Sequence, residues 1–304
     1  VKRKYGWLRL GLCFGLVLEV LKIPACAKDQ VRGLWVWDTF SILQAPGSLE
    51  RLRDFCKSQH INEVYVSVAG REGESDDAQL AALIHLLHRS HIRVEALFGS
   101  STADEPGKPR EQLLARVKGI VEFNQRHHDA RFDGIHLDVE PYQRPENKGF
   151  DNHRFLPDLV DTYRGVEALA APAHMTVNAD IPNRLLKASL SERWMLLSSV
   201  PRLTLMLYDL SSPGDGDSPE QQANKLRKTS RRWLDMAYEN VTEEHVARMS
   251  IALNSPDYDQ WLPLMLKTLD DANHHNKHYL GWARHSYNSY LESGLRVIGS
   301  SGHP

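Results

Sequence analysis

The chain has 304 residues, 41% hydrophobic and 25% charged, a composition that folds rather than staying disordered and that supplies one large α/β domain or two smaller ones. A formal charge of −2 leaves no basic footprint for nucleic acid or for an anionic membrane surface. Of the cysteines, Cys13 and Cys26 lie in an N-terminal segment outside the expected fold, and Cys56 alone makes no intramolecular disulfide.

Lys2, Arg3, Lys4 and Arg9 precede an apolar run over 10–18, and Ala25-Cys26-Ala27 supplies the small residues that a signal peptidase requires. Residues 1–27 are therefore expected to be a signal peptide or an N-terminal anchor, with Ile23-Pro24-Ala25-Cys26 loosely similar to a lipidation site. Glu19 and Lys22 interrupt the apolar run, which falls short of the roughly 20 residues of a membrane-spanning helix. The expected location is secreted or periplasmic, with anchoring through this segment as the alternative.

From Val31 onward one rhythm repeats: a short β-rich run, a polar loop, an amphipathic helix. Strands are predicted over 33–37, 63–68, 93–98, 134–140, 175–181, 203–208, 249–253 and 279–282. Helices are predicted over 49–58, 76–91, 110–127, 153–170, 184–197, 219–239 and 258–274. Leu80, Leu83, Ile84 and Leu87 form one apolar stripe, and Leu113, Leu114, Val117, Ile120 and Val121 another; each is a face to pack on a sheet. Strands alternating with helices predict parallel βαβ units, and eight of them fill the roughly 250 residues of a (β/α)₈ barrel. The fold class is therefore a single (β/α)₈ TIM barrel spanning 31–298. An open doubly wound sheet would place a glycine-rich phosphate loop after the first strand, where Trp37-Asp38-Thr39-Phe40 stands instead.

The stretch Phe132-Asp133-Gly134-Ile135-His136-Leu137-Asp138-Val139-Glu140-Pro141-Tyr142 carries the strongest functional signal. As a strand it puts Ile135, Leu137 and Val139 on one face and His136, Asp138 and Glu140 on the other. Parallel strands are usually apolar on both faces, so three ionisable groups in a row mark a site rather than a wall. In a barrel, function is read at the carboxyl ends of strands. Those ends offer Trp37 and Asp38, Asn178 and Asp180, Tyr208 and Asp209, and Trp282. Carboxylates and amides that hold hydroxyls, beside indole rings that stack on sugar faces, predict a carbohydrate substrate. Each also has a plainer use: tryptophan in the core, aspartate capping a helix.

Asp138 lies roughly 7 Å before Glu140 on the same face, and its charge is expected to raise the Glu140 pKa, as a general acid requires. Glycosidases commonly add a second carboxylate, but Met249-Ser250-Ile251-Ala252-Leu253-Asn254 on the seventh strand has none. Either Asp180 or the substrate itself must then supply that function.

Asp133-Gly134-Ile135-His136-Leu137-Asp138-Val139-Glu140 resembles the D-G-x-D-x-D-x-E signature of family 18 glycoside hydrolases, with His136 at the middle aspartate. Met206-Leu207-Tyr208-Asp209 is similar to that family's M-x-Y-D run, and Trp282 matches its strand 8 tryptophan. The third strand, Val94-Glu95-Ala96-Leu97-Phe98-Gly99, departs from the family's S-x-G-G run. The resemblance implies a glycosidase in which Glu140 is the acid, Asp138 steers a substrate N-acetyl group and Tyr208 supports it. It implies substrate-assisted catalysis, no cofactor and no metal. Two other classes remain open: a metal-dependent hydrolase using His136, Asp138 and Glu140 with His285 or Asp180, and a non-catalytic sugar-binding barrel, which His136 favours. The chain is expected to act as a monomer.

Overall fold

A computed structural model describes residues 30–69, 74–148, 153–208, 217–242, 245–255 and 261–292. Eight parallel strands close into a barrel in sequence order, β8 pairing with β1. They are β1 Val31–Val36, β2 Glu63–Ser67, β3 Arg93–Ser100, β4 Gly134–Val139, β5 Thr176–Pro182, β6 Arg202–Met206, β7 Arg248–Asn254 and β8 Tyr279–His285. The helices are α1 Thr39–Gln44, α2 Ser48–Ser58, α3 Glu74–His88, α4 Lys108–Arg126, α5 Leu156–Ala170, α6 Leu190–Leu197, α7 Pro219–Tyr238 and α8 Leu262–Asn273. This is the (β/α)₈ barrel that the strand and helix rhythm predicts.

Strand parity sorts the side chains. Ile135, Leu137 and Val139 of β4 face outward and pack with the Leu80–Leu83–Ile84–Leu87 stripe of α3 and with Leu113, Val117 and Ile120 of α4 in one apolar shell. The barrel interior is different. A small apolar group, Trp35, Tyr65, Leu97, Met206, Ala252 and Ala283, shares it with buried polar groups from β2 to β7. Gly134 allows part of this filling, because a Cβ there would lie 2.5 Å from the Thr176 carbonyl oxygen and 3.0 Å from the Glu95 carboxylate.

Two local differences from the sequence reading have plain causes. Helix α1 directly follows β1 where a loop is expected; its six residues are too few for a periodic pattern. The predicted helix over 184–197 is a 3₁₀ turn, Asn183–Lys187, followed by α6, which starts anew on a Ser189–Glu192 capping box.

Candidate active site

A ladder of alternating charge climbs the barrel axis. At its foot, Arg202 of β6 binds Glu63 of β2 at 2.5 and 2.9 Å and Glu95 of β3 at 3.0 Å. Glu95 meets His136 Nδ1 at 3.2 Å, and His136 Nε2 meets Asp180 Oδ1 at 2.9 Å. The Trp35 indole N–H donates to the other Asp180 oxygen at 3.3 Å. Burial opposes a charge on His136, but Asp180 and Glu95 outweigh it and push the imidazole up to about 9. The ring is then an imidazolium near neutral pH, donating to both carboxylates, with Tyr65 stacked 3.7 Å over its face.

Above this ladder lies the mouth. Pro141 has no N–H to continue the sheet, so β4 stops at Val139 and the chain turns into the 3₁₀ segment Pro141–Gln143. Glu140 sits at that turn, its backbone N–H held by the Ser100 carbonyl at 2.8 Å. The Tyr142 hydroxyl and the Gln143 amide donate to its two carboxylate oxygens. Burial raises the Glu140 pKa; the Tyr142 bond pulls it down, Asp180 pushes it up, and Gln143 and Arg184 pull it down, leaving a net rise. Asp138 is raised further, by burial and then by the charges of Asp180 and Glu140, with His136 opposing. Its Oδ1 is enclosed and has no hydrogen-bond partner among the described residues. The nearby charge that lifts Glu140 most is thus Asp180, whereas the alternation of β4 points to Asp138.

The Trp37 indole N–H donates to His285 Nε2 at 2.8 Å, and its backbone N–H donates to Asn288 at 2.9 Å. His285 therefore accepts on Nε2 as a neutral ring, and burial holds its pKa low. Across the mouth the Trp37 ring covers Gly99, where a Cβ would lie 3.1 Å from it. Tyr208 stands 5.6 Å from His285, ring to ring. Together Trp37, Tyr208 and Tyr142 border the apolar group inside the barrel.

Of the sequence-predicted residues, Glu140, Asp138, Tyr208 and Trp37 meet at the mouth. Asp180 is 2% exposed with both oxygens occupied, and Asn178 is fully buried beside His136 and Thr204, so neither reaches a substrate as expected. Asp38 is exposed at the start of α1 and makes no side-chain cap bond. Asp209 lies outside the described residues. Trp282 is corrected: it faces the helices, its N–H on Asp270 at 3.3 Å and Arg32 over its ring. The cause is a register shift between β7 and β8 at Met249/Ser250, where Tyr279 pairs with Met249 but Gly281 with Ser250. One extra residue inverts the parity, so the inward residue at the end of β8 is His285.

Sequence reasoning missed Glu63, Glu95 and Arg202 as a charged floor, and Tyr142, Gln143 and Arg184 as partners of Glu140. The signal for the floor is a glutamate at the inward parity of two apolar strands; for the mouth it is polar residues directly after β4 and β5. Among the described residues no three His, Cys, Asp or Glu side chains are placed to hold an ion, and His136 spends both nitrogens on carboxylates.

The sequence matches no protein-family model and no curated protein. Solved structures do match its fold. An endo-1,4-β-mannanase from Rhizomucor miehei superposes with a TM-score of 0.54 at 10% identity, covering 84% of this chain and 86% of that one. A chitinase from Bacteroides thetaiotaomicron gives 0.53 at 13%, covering 85% and 89%. The glycoside hydrolase domain of PgaB (BpsB) from Bordetella bronchiseptica gives 0.51 at 13%, covering 84% and 94%. At these identities the chain shares with them its closed eight-stranded barrel.

Proposed function

We propose that this barrel is a glycoside hydrolase in which Glu140 is the general acid. The observation that carries the reading is a carboxyl at the carboxyl end of β4, raised above its ordinary value by burial and aimed by Tyr142 and Gln143. Such a group holds a proton that a departing glycosidic oxygen can take. Asp180 is 2% exposed and already accepts from His136 and Trp35, which argues against it as the second carboxylate of a two-carboxylate mechanism. β7 ends in Asn254. We assign that role to the substrate: a 2-acetamido oxygen attacks the anomeric carbon as Glu140 protonates the leaving oxygen. Asp138 Oδ1, enclosed and unpartnered, is the acceptor that the acetamido N–H would need. That hydrogen bond favours the carboxylate form of Asp138 over the protonated form that its surroundings otherwise favour. Glu140, now ionised, then takes a proton from the water that opens the cyclic intermediate. We assign Tyr208, which borders the same mouth, the role of supporting the acetamido group.

We place this chemistry outside the cytoplasm on the basis of the basic-then-apolar segment 2–18; no helix of the described residues is long and apolar enough to cross a membrane. A non-catalytic sugar-binding barrel is the second reading, favoured by the imidazolium at 136 where the resemblance has an aspartate. The test compares matched aryl glycosides that carry 2-acetamido or 2-hydroxyl groups. Hydrolysis confined to the acetamido series supports the proposal, equal hydrolysis of both removes the substrate's role, and binding without hydrolysis at any pH favours the second reading.

A further inference from the structure

Arg184 is the second residue of the 3₁₀ turn after β5, at the same end of the barrel as Glu140. Its guanidinium lies 4.4 Å over the Tyr142 ring, and Tyr142 donates to Glu140. Three other arginines that are at least partly buried are spent on protein acceptors: Arg144 on Asp104, Arg202 on Glu63 and Glu95, Arg284 on Gln59; Arg32 stacks as Arg184 does, but on Trp282 among the helices. Among the described residues Arg184 makes no hydrogen bond and no ion pair, so its fork of N–H donors is held in place by stacking and left open. A stacked, pre-oriented guanidinium with unspent donors is what bidentate recognition of a carboxylate requires.

We propose that Arg184 is the anion-recognising residue of the subsite beside Glu140, and that the substrate is an acidic glycan with a carboxylate on a sugar next to the cleaved bond. This rests on the glycosidase reading and names its substrate class. Two features of the site agree. A carboxylate entering a mouth that holds Asp138 and Glu140 meets repulsion unless a cation receives it. Arg184 also opposes the rise of the Glu140 pKa in the empty site, since its charge favours the ionised form; a substrate carboxylate cancels that charge and so raises the Glu140 pKa further when substrate is bound.

The test uses an oligosaccharide of alternating N-acetylglucosamine and glucuronate, and the same oligosaccharide with its carboxylates reduced to alcohols. Binding is measured by calorimetry to E140Q and to E140Q carrying Arg184→Met, with Arg184→Lys as the conservative variant. The expected result is about tenfold or more tighter binding of the carboxylate form by E140Q, weakening as salt rises, a ratio near one for Arg184→Met, and an intermediate ratio for Arg184→Lys. Equal binding of both forms by E140Q, or a ratio unchanged by Arg184→Met, overturns the proposal. A sulfated oligosaccharide tests the anion: preference for sulfate over carboxylate overturns the carboxylate assignment. Cleavage by the unmodified protein is scored separately, so absence of hydrolysis counts against the glycosidase reading while the Arg184-dependent ratio still decides the subsite.

Discussion

Replacing His136 by Gln tests the charge ladder on which the site stands. In the folded protein this imidazole is raised from 6.5 to about 9. At about 1.4 kcal/mol per pH unit, that difference is worth about 3 kcal/mol of folding stability. Because the folded value lies above the unfolded one, the contribution is complete below pH 6.5 and is lost as the pH rises through 9. His285 is held below its ordinary value by burial, so its linkage has the opposite sign and does not produce this fall. Equilibrium urea unfolding at several pH values should therefore show a fall of about 3 kcal/mol between about pH 6.5 and 9 in the parent protein. In His136→Gln that fall should be largely absent. The variant should also be less stable by about 3–5 kcal/mol near neutral pH, since Asp180 is left buried without its cation and Glu95 keeps only Arg202. Imidazole ¹⁵N spectra read the same quantity directly. Titration of His136 at or below its ordinary value, or a parent stability that is flat over the window, refutes the reasoning.

Three further substitutions probe the acid and its support. Tyr142→Phe removes a hydrogen bond that favours ionised Glu140, so the alkaline limb of the pH–rate profile should move to higher pH, with kcat reduced about tenfold as the carboxyl loses its orientation. Asp180→Asn removes the charge that raises both Asp138 and Glu140; the alkaline limb should move to lower pH, and the His136 imidazole should lose its proton at lower pH in the same spectra. Arg202→Met leaves buried Glu63 with Arg93 alone and Glu95 with His136 alone, and should cost about 3–5 kcal/mol in urea unfolding.

The fold was legible because each strand and helix carries its own period, and the closed barrel follows from eight repeats of one unit. The face of β4 was legible for the same reason: strict alternation placed His136, Asp138 and Glu140 together. Depth was not. Periodicity says that Asn178 and Asp180 point inward, but not that a ring from the neighbouring strand will bury them. Parity failed at Trp282, where a register irregularity of one residue at Gly281 turned an inward position outward. Partners from distant strands were also hidden. The link from Arg202 to Glu95 spans 107 positions and that from His136 to Asp180 spans 44, and neither spacing is a motif.

The central claim is that Glu140 delivers a proton to the leaving oxygen. The most direct measurement is kcat/KM of the parent and of Glu140→Gln on aryl glycosides whose leaving phenols differ in acidity. A good leaving group departs without a proton and a poor one does not, so the loss caused by Glu140→Gln should grow from about tenfold for the most acidic phenols to about 10⁴-fold for the least. A loss of the same size across the whole series would contradict the assignment of Glu140 as the acid.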